Sequence, residues 1–271
     1  MLALGGFDGL HVGHREVLAR AKGFSLPVGV MTIAGGKGQS LFTLEERRDI
    51  FCRAGADFVF ELDFEEIKGL SYQCFAEGLC RRFDVRAFVC GEDFRFGAGA
   101  QGTPEKLKRS THVRVEVQKL CERMGRKVSS TAVKALLEDG RAEAVSELLG
   151  EPFFVRGEVC KDRQVGRTIG FPTANVAYPL DKFPLKKGVY ESAVEIDGVA
   201  YKGITNFGAR PTFGDESVWT ETYLDGFSGD LYGRTIDVRF VRFLREIERF
   251  DGATELKKQL CADIRRVRNH D

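Results

Sequence analysis

Leu2-Ala3-Leu4-Gly5-Gly6-Phe7-Asp8-Gly9-Leu10-His11-Val12-Gly13-His14 is the stretch whose reading decides how the first half of the chain folds. The apolar run predicts a short strand, residues 5–9 a tight glycine turn, and residues 15–22 a helix with Val17, Leu18 and Ala21 at helical spacing and Gly23 as its stop. His11 and His14 then stand three apart at a helix N-terminus, where free N–H groups and the positive end of the helix dipole favour an anion. Glycines without Cβ atoms let a phosphate chain come close. Zinc is the other use for two histidines at this spacing, but it needs further ligands, and only His112 and His270 remain.

Outward from that turn, strands and helices alternate. Residues 27–33 read as a buried strand. Thr43 followed by Glu46 has capping-box spacing and opens a helix to about residue 54. Residues 57–64, 86–90 and 112–120 read as further strands, residues 71–83 as a helix, and Thr103-Pro104 as the start of a short one. This alternation predicts a parallel sheet with helices on both faces and ligands at the carboxyl ends of its strands. The glycine-rich stretches 5–14 and 91–102 both fall at such ends. Ser129-Ser130 caps a helix carrying Val133, Leu136 and Leu137, whose first turn offers hydroxyls, N–H groups and Lys134 together. Gly140 separates it from a helix over 141–149. Gly150-Glu151-Pro152 then predicts a domain boundary, giving domains 1–150 and 151–271.

Beyond residue 150 the pattern changes. Residues 154–160, 189–196, 199–204, 219–224 and 235–243 are strand-like without helices between them, and Ile196-Asp197-Gly198-Val199 is a hairpin signal. An antiparallel barrel follows, closed by an amphipathic helix over 253–268 with Leu256, Leu260 and Ile264 on one stripe. The expected class is α/β plus all-β. In Arg167-Thr168-Ile169-Gly170-Phe171-Pro172-Thr173-Ala174-Asn175, a hydroxyl and a carboxamide two residues apart point the same way on an extended chain. Both are hard oxygen donors suited to Mg²⁺. Alone, such a pair is more often a loop hydrogen bond.

Composition narrows the function classes. Forty-one basic and forty acidic side chains leave a formal charge of +1, which gives no electrostatic footprint for nucleic acid or an anionic membrane. No apolar stretch approaches a membrane span, and no leader is evident. The seven cysteines include no C-x-x-C pair and lie mostly in apolar periodic segments, so reduced core residues and a cytoplasmic location are expected.

The string G-x-F-D-G-x-H-x-G-H, here Gly5 to His14, resembles the signature of the nucleotidyltransferase half of the bacterial bifunctional riboflavin kinase/FMN adenylyltransferase (FAD synthetase) family. Later motifs extend the resemblance over essentially the whole chain. It implies a Rossmann-like N-terminal domain, with Gly5, Phe7, Asp8, Gly9, Gly13, Ser130, Thr131 and Lys134 at ATP, His11 and His14 catalytic, and Asp93 and Phe96 beside the flavin. Gly-Phe-Pro-Thr-Ala-Asn is similar to the family's kinase motif and assigns Thr173 and Asn175 to Mg²⁺ and ATP. Asn206-Phe207-Gly208-Ala209-Arg210-Pro211-Thr212-Phe213-Gly214 and Glu221-Thr222-Tyr223-Leu224 also resemble the kinase domain, with Arg210 and Tyr223 at the flavin and Glu221 as the general base. A carboxylate there suits an alcohol attacking a γ-phosphate.

The implied chemistry is riboflavin to FMN, then FMN to FAD with release of pyrophosphate, each with ATP. Small molecules are the implied partners of a monomer or weak homo-oligomer. Two departures stand out. Where the family carries T-F-x-P-H-P, this chain has Thr32-Ile33-Ala34-Gly35-Gly36-Lys37, and Lys134 stands where arginine is usual. A kinase with a degenerate first domain is the alternative within the family. Outside it, His-x-Gly-His with Lys127-Val128-Ser129-Ser130-Thr131 resembles the two ATP signatures of class I aminoacyl-tRNA synthetases, against which the near-neutral charge argues. A non-catalytic flavin binder would have no need of Thr173, Asn175 and Glu221.

Overall fold

The computed structural model describes residues 1–36, 38–123, 125–161, 170–209 and 217–270. Contacts divide them into two compact units. One is Met1–Val133 with Asp181–Phe183, and the other is Lys134–Leu180 with Pro184–Asp271.

The first unit is a parallel sheet of β1 (Leu2–Leu4), β2 (Gly29–Ala34), β3 (Phe58–Asp63), β4 (Ala87–Gly91) and β5 (Arg114–Gln118), in the order β3-β2-β1-β4-β5. The central strands are buried almost throughout, as a sheet covered on both faces requires. Helices α1 (Val12–Lys22), α2 (Leu44–Arg53), α4 (Tyr72–Phe83) and α5 (Pro104–Ser110) follow the strands, with a single turn α3 (Phe64–Ile67) that the sequence does not announce. Thr43 and Glu46 form the expected capping box on α2. Strand order reverses between β1 and β4, so a crevice opens at the carboxyl ends of those two neighbours. Leu2, Leu4, Phe75, Phe88, Phe96 and Leu107 are among the buried side chains of the core.

The helix after β1 starts at Val12 rather than near residue 15, because the His11 side chain caps it by accepting from His14 N–H. A histidine cap has no place in the usual start signals, which explains the shift. A second departure concerns the cysteines. Cys90 and Cys121 are buried, but Cys52 and Cys74 are exposed, because each lies on the outward face of its helix. All seven are free thiols.

The second unit holds an antiparallel sheet of β8 (Phe153–Glu158), β9 (Thr173–Ala177), β10 (Gly188–Ile196), β11 (Val199–Ala209), β12 (Val218–Leu224) and β13 (Thr235–Arg245), ordered β8-β13-β10-β11-β12-β9. Its two edge strands meet where Cys160 N–H donates to Asn175 O at 2.9 Å, which curls the sheet into a barrel. The β10–β11 hairpin turns on Asp197 and Gly198, both with positive φ (51° and 80°), as a type I′ turn demands. Helix α8 (Ala253–Arg268) lays Leu260, Ile264 and Val267 on Val189, Ile204 and Leu244. Asp263, buried on α8, accepts from Arg245 at 2.9 Å, so burial of the charge is matched by its partner. Helices α6 (Ser130–Glu138) and α7 (Ala142–Leu149) precede the barrel, and a short hairpin, β6 (Glu122–Arg123) with β7 (Arg126–Lys127), precedes α6.

Candidate active sites

At the β1/β4 switch point of the first unit lies a cavity of about 320 Å³. Gly5, Phe7, His11, Gly13 and His14 form one wall, Asp93, Phe94 and Arg95 a second, and Lys119, Ser129 and Ser130 complete it. The turn is held from below. Phe7 has a positive φ of 40° and a fully buried ring, 5.8 Å from that of Phe51. Its carbonyl accepts from Thr32 Oγ1 at 3.2 Å, and Thr32 Oγ1 in turn accepts from Arg47 at 2.8 Å. Such a backbone conformation persists only where its surroundings over-determine it.

The two histidines stack with ring centroids 3.6 Å apart. Burial pushes His11 down to about 3 and His14 down to about 4, the neighbouring imidazole adding to the effect on His11. Both rings are therefore neutral at pH 7. Their hydrogen bonds assign the tautomers. His11 Nδ1 accepts from His14 N–H at 3.1 Å, so its proton sits on Nε2. His14 Nδ1 lies 2.7 Å from the Gly9 carbonyl and must donate to it, leaving Nε2 as an open acceptor. The pair thus offers one donor and one proton acceptor, with Arg95 and Lys119 as the positive charges of the lining.

Not every sequence-derived residue reaches this cavity. Phe96 is buried in the core, with its ring 5.3 Å from Phe75, and the ring lining the cavity is Phe94. Asp8 accepts from Leu41 N–H at 2.8 Å, and Gly9 serves through its carbonyl. Ser130 borders the cavity, whereas Thr131 and Lys134 further along α6 are not in its lining. Asp93 borders it and pairs with Lys127 at 2.5 Å.

The second unit carries two cavities that share Thr173. One, of about 450 Å³, is bounded by Thr173, Asn175, Thr222, Phe227, Asp230 and Tyr232. The other, of about 280 Å³, is bounded by Phe171, Thr173, Asn206, Glu221, Tyr223 and Arg245. Register explains the placement. Glu221 on β12 stands opposite Asn206 on β11 and Asn175 on β9, so the three side chains form a row on one face of the sheet. The alternate residues face the other way, where Thr205 is bonded to Ser192 at 2.7 Å and to Thr222 at 2.9 Å. That hydroxyl ladder and the rings of Tyr190, Phe207 and Phe240 are buried on that side, where Thr222 also borders the larger cavity, while Glu221 and Asn206 face the smaller one.

The amide oxygens of Asn175 and Asn206 are buried without a hydrogen-bond partner among the described residues. A buried, unmet acceptor is costly unless a ligand satisfies it. Asn206 lies within a family-like run, and sequence gives it no role, because only the register against Glu221 singles it out. Arg210 and the 167–169 part of the earlier motif lie outside the described residues. Among the described residues no three His, Cys, Asp or Glu side chains gather as a metal site. Thr173 and Asn175 present a hydroxyl and a buried, unmet amide oxygen, the hard donor type that suits Mg²⁺.

Comparison with known proteins agrees with this division of labour. The FAD synthetase family matches residues 1–132, and the riboflavin kinase family matches residues 149–270. Bifunctional riboflavin kinase/FMN adenylyltransferases are similar over nearly the whole length. The one from Escherichia coli K12 is 35% identical and the one from Bacillus subtilis 168 is 31% identical, each over 97% of this chain and 90% of the relative. A crystal structure described as a macrolide-efflux protein from Streptococcus pneumoniae superposes with a TM-score of 0.89 at 30% identity, covering 100% of this chain and 94% of that one. Among the described residues of the present chain, no helix is long and apolar enough to cross a membrane. Fold and sequence together define a transferase of phosphorus-containing groups. The chain belongs to the bifunctional riboflavin kinase/FMN adenylyltransferase family.

Proposed function

We propose that the chain makes FAD in two steps, at separate sites. The observation that supports the kinase half best is that Thr173 borders both cavities of the second unit, so a phosphate donor in one and an alcohol in the other meet at a single residue. ATP occupies the larger cavity, with Thr173 Oγ1 and Asn175 Oδ1 holding Mg²⁺. The metal, when bound, screens the charge of the phosphates. Riboflavin occupies the smaller cavity against Phe171 and Tyr223, whose rings lie 5.2 Å apart. Glu221 accepts the proton of the ribityl 5′-hydroxyl as its oxygen attacks the γ-phosphate, and Asn206 orients the same hydroxyl chain. FMN and ADP result.

In the first unit the FMN phosphate attacks the α-phosphate of a second ATP, and pyrophosphate leaves. The attacking oxygen is already anionic, so positioning and charge stabilisation suffice. Neutral His11 donates from Nε2 to a phosphate oxygen, and His14, held by the Gly9 carbonyl, keeps the stacked pair in place. Arg95 and Lys119 balance charge at the cavity wall. Phe94 and Asp93 serve the flavin side. The catalytic modules are 1–150 and 151–271, the setting is the cytoplasm, where free thiols persist, and the protein acts as a monomer or weak homo-oligomer.

The test is incubation with Mg²⁺, ATP and either riboflavin or FMN, followed by chromatographic separation of the flavins. FMN from riboflavin and FAD from FMN are expected. FMN without FAD from either substrate would overturn the adenylyltransferase half and leave a kinase with a degenerate first domain.

A further inference from the structure

Within the first unit, the loop between β2 and α2 has Gly35, Gly36 and Lys37 where the family carries proline, histidine and proline, and Gly38 follows them. Gly35 and Gly38 adopt positive φ (67° and 81°), and nothing lies within 4 Å of a Cβ built on Gly36 or Gly38. These three glycines therefore restrict the backbone little by themselves. Yet its far end must be placed accurately. Leu41 N–H holds the Asp8 carboxylate, and the Phe42 ring lies against Gly9, where a Cβ would stand 2.9 Å from Phe42 Cδ2.

Asp181–Phe183, which belong to this unit by their contacts, fix that end. Ser40 N–H donates to Asp181 O at 2.9 Å, and Phe183 N–H donates to Ser40 O at 2.6 Å, so Ser40 and Lys182 pair as a parallel bridge. The Lys182 side chain is fully buried. Its ammonium pairs with Glu46, itself 1% exposed, and sits 4.4 Å from the centroid of Phe42. Glu46 also receives Thr43 N–H at 2.8 Å in the capping box. A buried lysine is tolerated only with such partners, and here every partner adjoins the segment that bears on Asp8 and Gly9.

We propose that Lys182 is a positioning residue for adenylyl transfer: it locks Phe42 and the start of α2, and through them the Asp8–Gly9 turn, in place of the stiffness that prolines would give the loop. The inference rests on the proposed use of this turn by ATP and FMN. It assigns to the FAD-forming step a residue that lies inside the stretch matching the riboflavin kinase family.

The experiment compares wild-type protein with Lys182→Met and Lys182→Arg, measuring FMN formation from riboflavin, FAD formation from FMN and the melting temperature. Lys182→Met should lower kcat for FAD formation at least tenfold while riboflavin kinase turnover stays within twofold, and Lys182→Arg, which keeps the charge, should recover most of the lost FAD rate. Unchanged FAD formation in Lys182→Met overturns the inference. So does a parallel fall of both activities and melting temperature, which would mark Lys182 as a purely structural group. A wild-type protein that makes FMN but no FAD removes the adenylyltransferase reading itself, and the inference with it.

Discussion

His11 and His14 lie face to face, their ring planes 12° apart, and the closeness of two bases that burial keeps neutral has a thermodynamic consequence. Both folded-state values, about 3 and about 4, lie below the unfolded value of 6.5. Between those limits the unfolded chain binds more protons, so stability is complete above pH 6.5 and is lost as pH falls toward 4. Replacing His14 by Asn should reduce the stability difference between pH 7 and pH 5 by about 2 kcal/mol. Denaturation curves at the two pH values measure it, and an identical pH response in the variant would refute the assignment.

Glu221→Gln keeps the shape of the side chain but removes its capacity to accept a proton. Riboflavin phosphorylation should fall by about 10² to 10⁴, the usual worth of a general base, while FAD formation from added FMN stays within twofold. Chromatographic rates settle the matter. Full kinase turnover in the variant would dismiss Glu221 from the chemistry.

Asn175→Ala removes a buried amide oxygen that has no partner among the described residues. Kinase activity should then need at least tenfold more Mg²⁺ for half-saturation, by analogy with the cost of disturbing metal-ligand shells. A magnesium titration at fixed ATP provides the check. No change in that concentration would remove Asn175 from the metal.

Gly97 has a φ of 72°, and a Cβ there would stand 2.8 Å from the backbone nitrogen and Cα of Tyr72. Backbone atoms at a helix start cannot retreat as a side chain can. Gly97→Ala should cost about 2 kcal/mol and slow FAD formation, because the same loop carries Phe94 and Arg95 to the cavity. Calorimetry would expose the error if the variant melted like wild type.

Much of this molecule is legible in the chain. The turn at Gly5 to Gly9, the Thr43 box on α2 and the Asp197-Gly198 hairpin are local signals, decided by neighbours in sequence, and the structure bears them out. Short segments fixed by tertiary contacts are not legible in that way. β9, five residues long, owes its strand to pairing with β12, and α3 is a single turn. In Phe94-Arg95-Phe96 spacing alone does not say which ring turns inward, because an irregular loop has no period to read. The alignment of Asn206 with Glu221 depends on strand register, and the burial of Lys182 beside Glu46 joins residues 136 positions apart. No pattern in the sequence marks either pairing.

The seam of the barrel passes through Asn175. Its carbonyl closes the sheet against Cys160 while the residue borders the larger cavity with a buried, unmet amide oxygen, so under the proposed function one residue is at once a hinge pin and a ligand. Parting of the edge strands would carry the ligand away from the nucleotide, and a bound nucleotide would in turn hold the strands together. On that proposal, occupancy and closure form a single equilibrium in this barrel, with substrate as the last staple of the fold that binds it.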